Sequence, residues 1–322
     1  MKTRISKNVM LFLLFAVFAA SAQAQVLMAT LQHGEETKVY YNGAESLGSA
    51  LNDAVTGDII TLSSGSFNAK EINKAVKIVG AGYITDERRG LVLTRISGDF
   101  TIQIADGDAT KLHIEGIQNT KTVSIKGEIK GFNIRRCEFW SVNMTAAAST
   151  NCNFMQCNIR GYFSPDANGT NLYMKNCQIK NVKSNSDTAS LIVENRYIAD
   201  ANTYNPTLIA RNTCFRGCSR SQSCYYTNCF WLDNLSPSGN AIQTNCWTEH
   251  SGDVPDRINS NTLTDEEAAK YVGTDGTIIG IWGGEESWVD VPAVPQVVSA
   301  EVASKTTADG KLSVKFTVKP QK

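Results

Sequence analysis

The chain has 322 residues, with 31 Lys+Arg against 31 Asp+Glu and only three His, a formal net charge of zero. With no basic surplus it lacks the electrostatic footprint of a nucleic-acid binder, and its length suits one repeat domain with short appendages. Its nine cysteines are an odd number, which excludes a framework in which every Cys pairs within the chain.

Residues 1–24 read as a cleaved secretory signal. Lys2, Arg4 and Lys7 precede the apolar run Val9–Ala20 and the small-residue site Ala22-Gln23-Ala24. Removing this segment, which carries three basic and no acidic residues, leaves a net charge of −3. The run is too short for a comfortable membrane span and no other long apolar run follows. The mature chain is therefore expected to carry no span, to be a monomer, and to work in the periplasm, at the cell surface or outside the cell.

Residues 25–56 form an N-terminal segment. Apolar residues alternate loosely up to Tyr41, and Asn42-Gly43 signals a turn. Leu47, Ala50, Leu51 and Ala54 then recur at helical spacing, predicting a short amphipathic helix over Glu45–Val55. A solenoid end exposes both apolar core and an unpaired strand edge, and such a helix covers them. Next come Gly57-Asp58, the strand Ile59–Leu62, a Ser63-Ser64-Gly65-Ser66 turn and Ala75-Val76-Lys77-Ile78-Val79-Gly80-Ala81-Gly82. The run Ser46–Gly82 resembles the opening coils of pectin-lyase-like right-handed parallel β-helix proteins. The resemblance implies that fold, and it admits activities that include polysaccharide lyases, polygalacturonase-type hydrolases and pectin esterases.

From Leu112 the sequence repeats. Phe132, Ile134, Arg136, Cys137 and Phe139 return as Cys152, Phe154, Gln156, Cys157 and Ile159, and again as Leu172, Met174, Asn176, Cys177 and Ile179, at a step of 20 residues. Shorter steps carry the signature on to Asn195, Asn212, Asn228-Cys229 and Asn245-Cys246. A fixed period of this length means stacked supersecondary units. Cys137, Cys157, Cys177, Cys229 and Cys246 share one column and read as small apolar core residues. Cys152 and Cys224 fall in the leucine column, and only Cys214 and Cys218 stand off the pattern. Asn176, Asn195, Asn212, Asn228 and Asn245 mark a bend where Asn tolerates the left-handed conformation, and their amides are expected to stack.

Beyond His250 the pattern stops. Thr264 and Glu267 make a capping box for a helix to about Val272, and Gly276–Gly284 offers a last strand. The expected layout is residues 57–284 as parallel β-helix with C-terminal cap, 285–297 as linker and 298–322 as a β-hairpin tail turning at Asp309-Gly310. The fold class is all-β, a right-handed parallel β-helix solenoid with an N-terminal capping helix, a short C-terminal helix and that tail. Ile192, Ile209 and Ile242 point outward, where the hairpin could cover them.

Of the hydrolase motifs of the resembled family, an Asp-Asp pair, a Gly-His-Gly and an Arg-x-Lys are missing. Inverting hydrolysis needs paired carboxylates and calcium-assisted elimination needs several on adjacent coils, whereas Glu115, Glu128, Glu138, Asp166 and Glu194 are scattered, Glu115 and Glu194 sharing a column but lying several coils apart. A lyase can instead use a Lys or Arg base, for which Lys126, Arg135, Lys175 and Arg211 face outward without one standing out. No His neighbours a Cys pair at zinc-ligand spacing, so neither a metal nor a cofactor is expected. A different column is more informative. Trp140, Arg160, Lys180, Ala199 and Arg216 each follow an inward residue and so form an outward stripe ~20 Å long at ~4.8 Å per coil. An aromatic platform beside cations suits an anionic sugar chain. The expected function is non-catalytic binding of extracellular polysaccharide through Trp140, Arg160, Lys180 and Arg216. A polysaccharide lyase with a Lys/Arg base, and a structural or adhesive solenoid without a glycan ligand, stay open as alternatives.

Overall fold

The computed structural model describes residues 27–85, 92–145, 148–165, 168–183, 190–202, 207–215, 218–219, 224–232, 241–249, 265–288, 296–302 and 314–319. The signal region 1–24, Asp166 and Arg216 lie outside them.

The repeat builds a parallel β-solenoid. On its first face His113, Asn133, Asn153, Tyr173, Ile192, Ile209, Tyr225 and Ile242 lie side by side in register on successive coils. A bend follows, and the second face stacks Glu138, Asn158 and Gln178 in the same way. Period-two alternation sends Leu172 and Met174 inward, fully buried, and leaves Lys175 exposed. One continuous core results, running from Ala29 to Trp231.

Among the described residues the bend uses one left-handed residue in each of seven coils. Gly116, Arg136, Gln156, Asn176, Asn212, Asn228 and Asn245 all have φ between 48° and 69°. At Gly116 a Cβ would sit 2.8 Å from the Gly80 carbonyl oxygen, so the close approach as well as the backbone demands glycine there. Asn151 and Asn171, with φ 54°, mark a second such bend that the sequence reading missed, and Asn171 Nδ2 donates to Asn151 Oδ1 at 3.0 Å.

Four of the five column cysteines, Cys137, Cys157, Cys177 and Cys229, are buried as the column reading expects, and Cys246 is only partly so. None of the eight cysteines whose side chains are described is in a disulfide, and seven are buried. The column thiols cap backbone: Cys137 Sγ donates to the Arg135 and Ile114 carbonyls, and Cys157 and Cys177 repeat the pattern one and two coils on. Cys214 is equally buried but stands apart from the main core.

The N-terminal end is closed twice. The helix, Ser46–Asp53, buries Leu47, Ala50 and Leu51 in the core, a gain of roughly 1.5–3 kcal/mol for each leucine. Ahead of it, Ala29–His33 and Glu36–Tyr40 form an antiparallel hairpin whose first strand pairs with Ile59–Leu62, so a strand also covers the open edge. Gly65-Ser66, expected in a turn, instead opens the strand Gly65–Asn68, which pairs with Thr94–Ser97 and turns Phe67 inward.

At the other end the helix runs Asp265–Lys270, and Thr264 of the expected capping box lies outside the described residues. Gly276–Gly284 does not make the expected strand. Positive φ at Gly276, Gly280 and Gly284 breaks extended pairing, leaving a single bridge between Val272 and Ile278. The tail strands Gln296–Val302 and Val314–Lys319 pair antiparallel in a sheet of their own. Ile242, which that hairpin was expected to cover, is 56% exposed. Among the described residues no helix is long and apolar enough to cross a membrane.

Candidate functional site

Two polar regions compete for attention. The denser one lies at the first bend, where residues 271–288 fold back as a strap across the coils. The Gly280 amide donates to the Asn212 carbonyl at 2.9 Å. Asn176 Nδ2 donates to the carbonyls of Ile281 and Gly283 at 3.0 and 2.6 Å, and Gln156 Nε2 to those of Glu286 and Ser287 at 3.2 and 2.7 Å. The strap ends with Trp288 buried against Tyr83, ring centroids 6.3 Å apart in a T-shaped contact. Residues 285–288, assigned to the linker on sequence grounds, are thus docked on the solenoid.

Charged groups gather beneath this strap. Arg135 pairs with Glu286 at 2.8 Å, His113 Nε2 meets Glu115 Oε2 at 3.0 Å, and Arg136 lies 3.9 Å from Glu115. Burial pushes the Glu115 carboxyl up, but the His113 hydrogen bond and the nearby Arg136 and Arg135 charges outweigh it, and the net shift is downward. Arg136 Nε donates to Gln156 Oε1 at 2.8 Å. Each of these groups is engaged by another, which suits an anchor for the strap. Elsewhere on the first face Lys175 and Arg211 both hold Glu194, at 3.3 and 3.0 Å. Among the described residues no group of three His, Cys, Asp or Glu is placed to hold a metal ion.

The second region is the outward stripe. Phe139, Ile159 and Ile179 are buried and in register, so the residues after them, Trp140, Arg160 and Lys180, face solvent side by side. Trp140 is 51% exposed and the Arg160 side chain 59%. Arg160 Nη1 lies 3.6 Å from Glu138 Oε1. Lys180 is exposed, with no ion pair among the described residues. Arg216 and the Ala199 side chain lie outside the description, so the stripe is established over three coils.

The structure adds a member. The strand Asn158–Ser164 carries one extra residue relative to both neighbours, a bulge at Gly161. A Cβ on Gly161 would lie 2.6 Å from the Trp140 carbonyl oxygen and from Ser141 Oγ, and 3.4 Å from Trp140 Nε1. Only glycine fits, and the Trp140 indole reaches across toward the next coil above it. The bulge also re-aims Tyr162, which is 37% exposed. Two aromatic side chains therefore flank Gly161. A lone Gly inside an alternating strand pattern was the available signal for this bulge.

Beside the stripe runs a hydrogen-bonded ladder. Arg95 Nε donates to Gln118 Oε1, Gln118 Nε2 to Glu138 Oε1, and Asn158 Nδ2 to Glu138 Oε2, each at 2.8 Å. Glu138 is thereby held on both oxygens, and it fixes Arg160. The arrangement offers an apolar ring surface, planar polar groups and a cation on a rigid sheet, a combination suited to recognition of sugar rings. Comparison with protein-family models, with curated proteins and with solved structures gives no match.

Proposed function

We propose that the chain is an exported, non-catalytic polysaccharide-binding protein of the pectin-lyase-like β-helix type. Its glycan would lie over Trp140 and Tyr162, with Arg160 and Lys180 meeting carboxylate or sulfate groups. The observation that carries this reading is the exposed Trp140 ring above the Gly161 bulge, in register with Arg160 and Lys180. Soluble proteins seldom leave a Trp half exposed on a rigid strand beside a second exposed aromatic unless a ligand uses it.

The competing reading as a Lys/Arg lyase draws less support. A base must be free to accept a proton, yet Arg135 is spent on Glu286, and Lys175 and Arg211 on Glu194. Lys126 is exposed on a different part of the coil.

The test is retardation in native gels cast with uronic-acid polymers, a sulfated glycan and a neutral glucan. Trp140→Ala is expected to weaken binding about tenfold, the equivalent of ~1.4 kcal/mol. Arg160→Ala with Lys180→Ala should weaken binding to the anionic polymers and leave the neutral one unchanged. Wild-type migration unaffected by every polymer, or equal retardation of wild type and Trp140→Ala, overturns the proposal.

A further inference from the structure

The residue that follows each left-handed corner is a cysteine in five coils, and the five differ in one respect. Cys137, Cys157, Cys177 and Cys229 are fully buried, whereas Cys246 is the only partly exposed one of the eight cysteines whose side chains are described. It lies in the last described coil, stacked on Cys229. Thr227 is in register with Thr244 and Phe230 with Trp247, so Cys229 and Cys246 face each other between two matched pairs. Both thiols donate to equivalent carbonyls, Cys229 Sγ to Ala210 and Thr227, Cys246 Sγ to Tyr226 and Thr244. Strands in register are ~4.8 Å apart, inside the Cα separation of roughly 4.4–6.8 Å that a disulfide spans.

We propose that Cys246 is a modification site for small-molecule disulfides and other soft electrophiles, and that it closes a disulfide with Cys229 that staples these two adjacent coils together. The thiolate, not the thiol, is the nucleophile. When the Cys229 S–H turns from those carbonyls to the Cys246 sulfur, that hydrogen bond pulls the Cys246 thiol down to about 7, against the opposing effect of burial and with help from the Cys229 amide. Burial pushes Cys137 up to about 12 and holds Cys157 and Cys229 well above the ordinary thiol range. Reactivity along one column is therefore decided by position in the stack.

With oxidised glutathione as the oxidant, the step balances. The Cys246 thiol gives its proton to water, its sulfur attacks one glutathione sulfur, and the glutathione S–S bond breaks to release one thiolate. The mixed disulfide carries no charge, which removes one of the groups that hold the Cys229 proton in place. Cys229 then loses its proton and attacks the Cys246 sulfur, expelling the second glutathione thiolate. Both leaving thiolates take up protons, so two cysteines are oxidised by two electrons and one glutathione disulfide is reduced to two thiols.

The experiment treats the full reduced chain with oxidised glutathione without denaturant and maps its peptides over time. Cys246 is expected to react at least about tenfold faster than Cys137, Cys157 and Cys177, with a Cys229–Cys246 disulfide as the end product. Cys229→Ala should halt the reaction at the glutathione adduct. Cys246 reacting no faster than the buried three overturns the proposal, as does a wild-type adduct that never passes to Cys229. Cys218 is read on its own peptide, and its capture of Cys246 in place of Cys229 overturns the pairing.

Discussion

The left-handed corner solves one problem in two ways along the solenoid. Toward the C-terminal end, Asn245 Nδ2 donates to Asn228 Oδ1 at 2.8 Å and Asn228 Nδ2 to Asn212 Oδ1 at 3.3 Å, so the amides pair along the stack. In the middle, the strap lies over the same column, and Asn176 and Gln156 turn outward to its carbonyls. The backbone demand is identical in both regions. What differs is the partner: the strap reaches Asn212 through the Gly280 amide but turns its carbonyls to Asn176 and Gln156, and a buried amide that finds no partner costs the full desolvation of a buried polar group. The strap also explains two residues that have no intrinsic reason to be left-handed. Arg136 and Gln156, with φ 48° and 52°, cost of order 1–3 kcal/mol each. They recover part of that through their mutual hydrogen bond and their contacts with the strap and its neighbours.

The contrast breaks most easily at the strap's anchor. Trp288→Ala removes a buried ring and its edge contact with Tyr83. Urea unfolding followed by circular dichroism should show a loss of about 3 kcal/mol, with faster hydrogen exchange at the Gly280 and Trp288 amides. A loss below about 1 kcal/mol would mean that the strap is an ornament of the solenoid and that the two halves of the corner do not differ as argued.

A smaller effect separates the two regions directly. Asn176→Ala should cost about 2–3 kcal/mol, because it orphans two strap carbonyls and strains the left-handed backbone. Asn245→Ala, at an exposed position with one amide partner, should cost about 1 kcal/mol. Asn176→Gly keeps the backbone comfortable and isolates the hydrogen-bond share. Equal costs at Asn176 and Asn245 would show that conformation alone sets the identity of the corner residue.

Much of this was readable in advance, and the reasons are local. The 20-residue step, the buried Cys column and the outward position of Trp140, Arg160 and Lys180 all follow from period-two alternation within a coil. What could not be read is contact between segments far apart in the chain. Nothing in the spacing of Gln156 or Asn176 announces that Ile281–Trp288 will lie on them, since Gly276–Gly284 shows no regular pattern. The N-terminal hairpin over Ile59–Leu62 escaped because its apolar alternation is weak. Tyr162 escaped for a narrower reason: one extra residue at Gly161 shifts the register, and a strict count places Tyr162 without regard to that bulge.

The smallest expected effect lies beneath the strap and compares two carboxylates of the same corner. Glu115, mostly buried, faces His113 and Arg136, while Glu286 on the strap is 44% exposed beside Arg135. The Glu115 carboxyl is depressed in the folded chain, so its contribution is present above the unfolded value of ~4.3 and is lost as pH falls through the folded value. Glu115→Gln should therefore lower stability by roughly 1 kcal/mol at neutral pH, and the gap between wild type and variant should close under acid. Glu286→Gln should stay within about 0.5 kcal/mol of wild type at any pH, since exposed pairs gain little after screening and side-chain entropy are counted. Thermal melts of the three proteins between neutral pH and about pH 3 decide the matter, because a Glu115→Gln gap that widens in acid has the wrong sign for a depressed carboxyl.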